Sequence, residues 1–84
     1  MIDDILNRLE KKETLGLKAD YVPLRMELEK IDTSIAERLT ADIWLYNPND
    51  TTKQGKWHGV GLGNIPAKDI CNYVRELLEQ RQQA

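Results

Sequence analysis

The first forty residues space their apolar side chains as helices do. Ile2, Ile5, Leu6 and Leu9 recur at intervals of three and four residues, which places them on one helical face. The pattern predicts a short helix over 2–13 that stops at Gly16. A second stripe occupies Leu24, Leu28, Ile31, Ile35 and Leu39, and predicts one long helix over residues 20–39.

Residues 22–30 also allow a different interpretation. Their apolar residues alternate with polar ones from Val22 to Leu28, as in a strand. A short helix capped by Ser34 would then follow. Helix is preferred because most residues of this window are helix formers and Pro23 would confine a strand to a sheet edge.

Residues 41–65 predict an antiparallel β-hairpin. Apolar and polar residues alternate from Ala41 to Asn47, turn-forming residues follow up to Gly55, and a return strand runs from Lys56 to Leu62. The alternation assigns one face to the core, with Ile43, Leu45, His58, Val60 and Leu62. The opposite face carries Trp44, Tyr46 and Trp57 beside two glycines.

A third apolar stripe predicts a C-terminal helix over residues 66–82. The sequence therefore predicts an α+β fold in the order α-α-β-β-α, a hairpin packed against amphipathic helices. With 84 residues the chain is expected to be a single domain, 1–84, with a helical region at 1–40, the hairpin at 41–65 and the last helix at 66–82.

Composition narrows the location and the chemistry. The single cysteine, Cys71, is compatible with a reducing compartment, and an acidic start with no long apolar run favours a cytoplasmic protein. Cys71 and the only histidine, His58, are too few for a metal site, and no nucleophile arrangement is recognisable. We therefore expect no cofactor, no bound metal and no enzymatic activity.

Two binding hypotheses remain. In the first, the chain is a small regulatory protein that binds another protein, of unknown identity, through Trp44, Tyr46 and Trp57, because exposed aromatics form an unusually apolar patch. A homodimer is plausible because a lone hairpin needs further partners. The alternative for this face is that a helix covers it, which would make the aromatics part of the core.

The second hypothesis is nucleic-acid binding. Three lysines and no acid lie between Thr51 and Lys68, although the net charge is -2. Lys53, Lys56 and Lys68 would contact phosphates while the aromatics stack on bases. The candidate partner-binding residues are thus Trp44, Tyr46, Trp57, Lys53 and Lys56.

One stretch resembles a known DNA-binding module. Trp57, Gly59 and Gly61, followed by Pro66 at the start of a helix and preceded by a predicted strand and polar turn, resemble the C-terminal module of the histone-like nucleoid-structuring proteins. The resemblance implies DNA binding and a self-associating helical N-terminal part. It covers about 25 of 84 residues and lacks the basic, arginine-containing loop of that module, so membership is not assigned.

Overall fold

The computed structural model describes residues 2–44 and 55–83, with side chains described as far as Arg81. These residues form four α-helices and contain no strand. The helices are α1 (Ile2–Leu9), α2 (Val22–Ile31), α3 (Thr33–Trp44) and α4 (Ala67–Gln83). A π-helical turn (Leu17–Tyr21) leads into α2, and a 3-10 turn (Leu62–Asn64) precedes α4.

The predicted α+β fold with a β-hairpin over residues 41–65 is wrong in the part of the chain that the structure describes. The last turn of α3 contains Ala41 to Trp44, because Ile43 continues the helical stripe of buried side chains on α3. In place of the predicted return strand, residues 56–60 form consecutive turns. Gly59 and Gly61 have φ of 79° and 90°, whereas regular strands have a strongly negative φ. The predicted Leu45, Tyr46 and Lys53 positions lie outside the described residues.

The long helix predicted over 20–39 is two helices, although helix rather than strand is confirmed for residues 22–30. Asp32 separates them with an extended backbone, at φ -162° and ψ 110°. Its Oδ1 accepts hydrogen bonds from the Ser34 backbone N–H at 3.0 Å and from the Ser34 hydroxyl at 2.6 Å. Asp32 therefore starts α3 as its cap, and the periodicity of Leu and Ile alone does not reveal the break.

The core lies between the four helices. Its largest fully buried side chains come from every helix and from the turn before α4: Leu6, Leu9, Leu24, Leu28, Leu39, Ile43, Ile65, Ile70, Cys71 and Val74. The predicted C-terminal helix is confirmed as α4, one residue later at each end. Of the hairpin residues expected in the core, Ile43 and Leu62 are buried, whereas Val60 is exposed.

Asp20 fixes the turn between α1 and α2. Its Oδ2 accepts the Gly16 N–H at 2.7 Å, and its Oδ1 accepts a hydrogen bond from Lys12 Nζ at 2.8 Å. The carboxylate is buried but fully paired. The hydrogen bond from Lys12, followed by that from Gly16, holds the pKa of Asp20 below its ordinary value.

We expect Asp20→Asn to lower the free energy of unfolding at pH 7 by about 1–2 kcal/mol, because the paired charge is lost from a buried site. Urea denaturation measures the change, and Glu79→Gln, at an exposed position on α4, is the control. The folded-state pKa of Asp20 is lowered, so its contribution is present above the unfolded pKa of about 3.9 and is lost as the pH falls through the folded value. A difference that persists undiminished at pH 2 would contradict this role.

Candidate interaction surface

A shallow, mainly apolar groove lies between α2 and α3. It has a volume of about 390 Å³, opens widely to solvent and is lined by Arg25, Glu37, Thr40, Ala41 and Trp44. The four residues from α3 follow the helical spacing i, i+3, i+4 and i+7, so they form one stripe along that helix. The opposite side of α3 carries its buried residues. We call these five residues the α2–α3 groove.

Trp44 forms one end of the α2–α3 groove and is held there by Tyr21. The two rings meet edge to face, with centroids 4.8 Å apart and planes at 75°. Tyr21 is buried, and burial raises the pKa of its hydroxyl. Trp44 itself is 44% exposed. A large aromatic side chain is thus both oriented by the fold and accessible.

A hydrogen-bond network supports the floor of the groove. The Thr40 hydroxyl donates to the Ala36 carbonyl at 3.0 Å and accepts from Arg25 Nη1 at 2.8 Å. Because that single proton is already donated, the Tyr21 hydroxyl at 2.5 Å must donate to Thr40. Arg25 also donates from Nε to Glu29 at 2.8 Å. The guanidinium is therefore fixed beside the groove rather than freely mobile.

Three more exposed apolar side chains lie on the π-helical turn and on α2. Leu17, Val22 and Met26 are all exposed. The π-helical turn aligns the first two, because the Val22 N–H bonds to the Leu17 carbonyl, and Met26 follows one α-helical turn later. Four of the five exposed large hydrophobic residues in the described chain are therefore Trp44 at the groove and these three residues on the π-helical turn and α2. The fifth, Val60, lies in the turns before α4.

Trp57 belongs to a different cluster from Trp44. Its ring meets Tyr73 of α4 edge to face at 5.2 Å, and it packs half-buried against the core. Asp42 holds this cluster: its backbone carbonyl accepts the Trp57 N–H at 2.7 Å, and its carboxylate accepts the Tyr73 hydroxyl. Asp42 and Trp44 are two residues apart on α3, about 200° around the helix. The structure therefore does not bring the two tryptophans onto one face.

The lysine candidates do not form a basic surface in the described chain. Lys56 Nζ lies 5.6 Å from the Trp57 ring centroid and 5.0 Å from that of Tyr73, within the range of a cation–π contact. The shallow pocket beside it, of about 250 Å³, also carries Asp69 and Glu76. Such acidic neighbours are unfavourable for phosphate contacts.

Cys71 and His58, the remaining candidates for chemistry, are both at least partly buried. Cys71 is fully buried in the core, and burial raises the pKa of its thiol. His58 is half-buried, with Nδ1 3.0 Å from the Gly55 carbonyl. Within residues 2–44 and 55–83 no group of three or more potential metal ligands occurs. None of the helices described is long and apolar enough to cross a membrane.

Comparison with protein-family models, characterised proteins and solved structures finds no match for this chain. The resemblance to the nucleoid-structuring module gains no support from the fold. The module would need strands in this part of the chain. The described residues are instead helical up to Trp44 and form turns from Lys56 to Val60.

The sequence pattern singled out Trp44 as a candidate but gave no indication of the residues around it. Thr40 lies 19 residues after Tyr21 and 15 residues after Arg25, and no local pattern links it to them. One pattern on α3 could have indicated the groove. Glu37, Ala41 and Trp44 have helical spacing, which becomes visible only when α3 is extended to Trp44 instead of ending in a strand.

Gly55→Ala should destabilise the fold, because a Cβ there would lie 2.2 Å from the Ala41 carbonyl oxygen and 2.6 Å from the Asp42 Cα. We expect a loss of about 1–3 kcal/mol in unfolding free energy. Gly63→Ala is the matched control, since a Cβ at Gly63 meets nothing within 4 Å. Equal thermal stability of the two variants would show that residue 55 does not pack against α3.

The two tryptophans should differ in their effect on stability. Trp57→Ala removes the contacts with Tyr73 and the core, so we expect a loss of about 2–3 kcal/mol in unfolding free energy. Trp44→Ala should cost clearly less, because Trp44 is nearly half exposed. Urea denaturation followed by far-UV circular dichroism compares them. A Trp57 variant as stable as the wild type would contradict the packing described.

Proposed function

We propose that this chain is a small, non-catalytic interaction protein that binds another protein through the α2–α3 groove. The observation that supports the proposal is Trp44, an exposed aromatic side chain held in one orientation by Tyr21. Side chains of this kind contribute most of the binding energy at protein interfaces. A fixed orientation also reduces the entropy lost on binding.

The polar residues of the groove fit the same role. Arg25 lies beside the apolar lining and is already ordered by Glu29 and Thr40. Arginine and tryptophan together are the residues most enriched at binding hot spots. The groove therefore offers an apolar anchor with a charged border, the usual arrangement of a protein interface. A cytoplasmic location belongs to the proposal, supported by the single, buried Cys71.

Nucleic-acid binding is the weaker proposal. Of its lysines, Lys56 lies over two aromatic rings beside acidic side chains, and Lys68 is exposed on α4. Trp57, expected to stack on bases, is half-buried. The geometry around Trp44 favours a protein partner instead.

Trp44→Ala should abolish protein binding while the chain stays folded. The measurement is quantitative affinity capture from a lysate of the native host, with nuclease-treated and untreated samples. Val60→Ala is the matched control, because Val60 is 43% exposed against 44% for Trp44 and lies outside the groove. We expect partner recovery to fall at least tenfold for Trp44→Ala only, and to survive nuclease. Capture that is unaffected by Trp44→Ala, or lost with nuclease, would overturn the proposal.

A further inference from the structure

We infer that the partner of the α2–α3 groove is a second copy of this chain, with the two α3 helices packed antiparallel across a two-fold axis near Thr40 and Ala41. The inference rests on the proposed function and names the occupant of its groove. It is carried by three features of the groove: the order of residues along α3, their sizes and their charges.

The order of residues is suited to a two-fold axis. Suppose that two antiparallel α3 helices are related by an axis between Thr40 and Ala41. Each residue then faces the residue of the second copy whose number, added to its own, gives 81. Thr40 then faces Ala41 of the second copy, and Trp44 faces its Glu37. All four of these α3 positions line the groove. A self-complementary patch of this kind is what an isologous dimer requires.

The small centre permits close approach. Ala41 has only a methyl side chain, and the Thr40 hydroxyl is already bonded to Ala36, Arg25 and Tyr21. The middle of the interface therefore needs no new polar partner. Helices with small residues at their crossing point can pack at the short end of the usual 8–10 Å range. The larger Trp44 side chains then lie at the two ends.

The charges are complementary under the same symmetry. The groove carries one cation, Arg25, and one anion, Glu37, so two copies do not oppose each other with like net charge. The indole N–H of Trp44 can donate to the facing Glu37 carboxylate. Arg25 is held by hydrogen bonds to Glu29 and Thr40, so its guanidinium keeps a fixed place in the groove.

The limited size of the surface implies a weak dimer. A standard stable interface buries about 800 Å² on each partner. The groove is formed by only five residues. We therefore expect dissociation in the micromolar range rather than a permanent dimer.

Sedimentation equilibrium from about 5 to 500 μM tests the inference, a range chosen around the micromolar dissociation expected for a small interface. The wild type should change from monomer to dimer, and Ala41→Arg, which places a long charged side chain at the axis, should weaken association at least tenfold. Val60→Arg adds the same side chain outside the groove and should leave association unchanged. A wild type that stays monomeric throughout, or equal losses in both variants, would overturn the second-copy assignment.

Disulfide crosslinking tests the second-copy assignment even if Ala41→Arg fails to fold. Ala41→Cys should form a disulfide-linked dimer under mild oxidation much faster than Val60→Cys, because residue 41 lies next to the axis. Cys71 is fully buried and present in every variant, so the wild type gives the background rate. Equal rates for the two variants would contradict the inference.

The outcomes also separate the inference from the proposed function. A monomeric wild type whose Trp44-dependent capture of a different protein persists would remove the second copy and leave the groove as a protein-binding site. A monomer with no Trp44-dependent capture would remove both. Self-association that is sensitive to Ala41→Arg supports both.

Discussion

Asp42 is the residue on which the arrangement of the second half of the chain depends. Its carboxylate accepts the Lys56 N–H at 3.2 Å and the Tyr73 hydroxyl, while its carbonyl accepts the Trp57 N–H. One residue of α3 thus holds the turns before α4 and α4 itself. The Tyr73 hydroxyl is partly buried, so without Asp42 this donor would lose its partner at a cost in stability. The contacts occupy one side of α3 and leave its opposite side to the groove.

Asp32 determines which residues meet in that groove. By ending α2 and capping α3 within a single residue, it folds the two helices back on each other. The start of α2 therefore lies beside the end of α3, where Tyr21 contacts Trp44. An uninterrupted helix would separate these two side chains by about 35 Å, at 1.5 Å per residue. The orientation of Trp44 is thus a product of tertiary structure.

The helices could be predicted where apolar spacing was sustained, as in α1, α2 and α4. The hairpin was wrong because alternation over a few residues does not distinguish a strand from the last turn of a helix. Ile43 fits both patterns, and the helical one prevails because it completes the buried stripe of α3. Gly59 and Gly61 are inconsistent with the predicted return strand, because both have the positive φ that is typical of turns.

The candidate site was predictable only in part for a related reason. The strand alternation that placed Trp44 on an outer face is wrong, although Trp44 is exposed where it stands, at the end of α3. The residues around Trp44 could not be predicted from a local pattern, because hydrogen bonds such as Arg25 to Thr40 depend on how two helices cross. Trp57 shows the converse: its local pattern resembles that of Trp44, yet its contact with Tyr73 places it against the core.

The π-helical turn at Leu17–Tyr21 has a consequence for how this chain can vary in length. A π turn holds one residue more than an α turn, so this segment contains one residue more than an α-helical turn in the same place. Its extra residue places the Asp20 carboxylate against the Gly16 N–H while Tyr21 still enters the core. Deleting one residue here would rotate everything before it by about 100° relative to α2. Related chains that keep both contacts should therefore conserve the number of residues between Gly16 and Tyr21 more strictly than their identities.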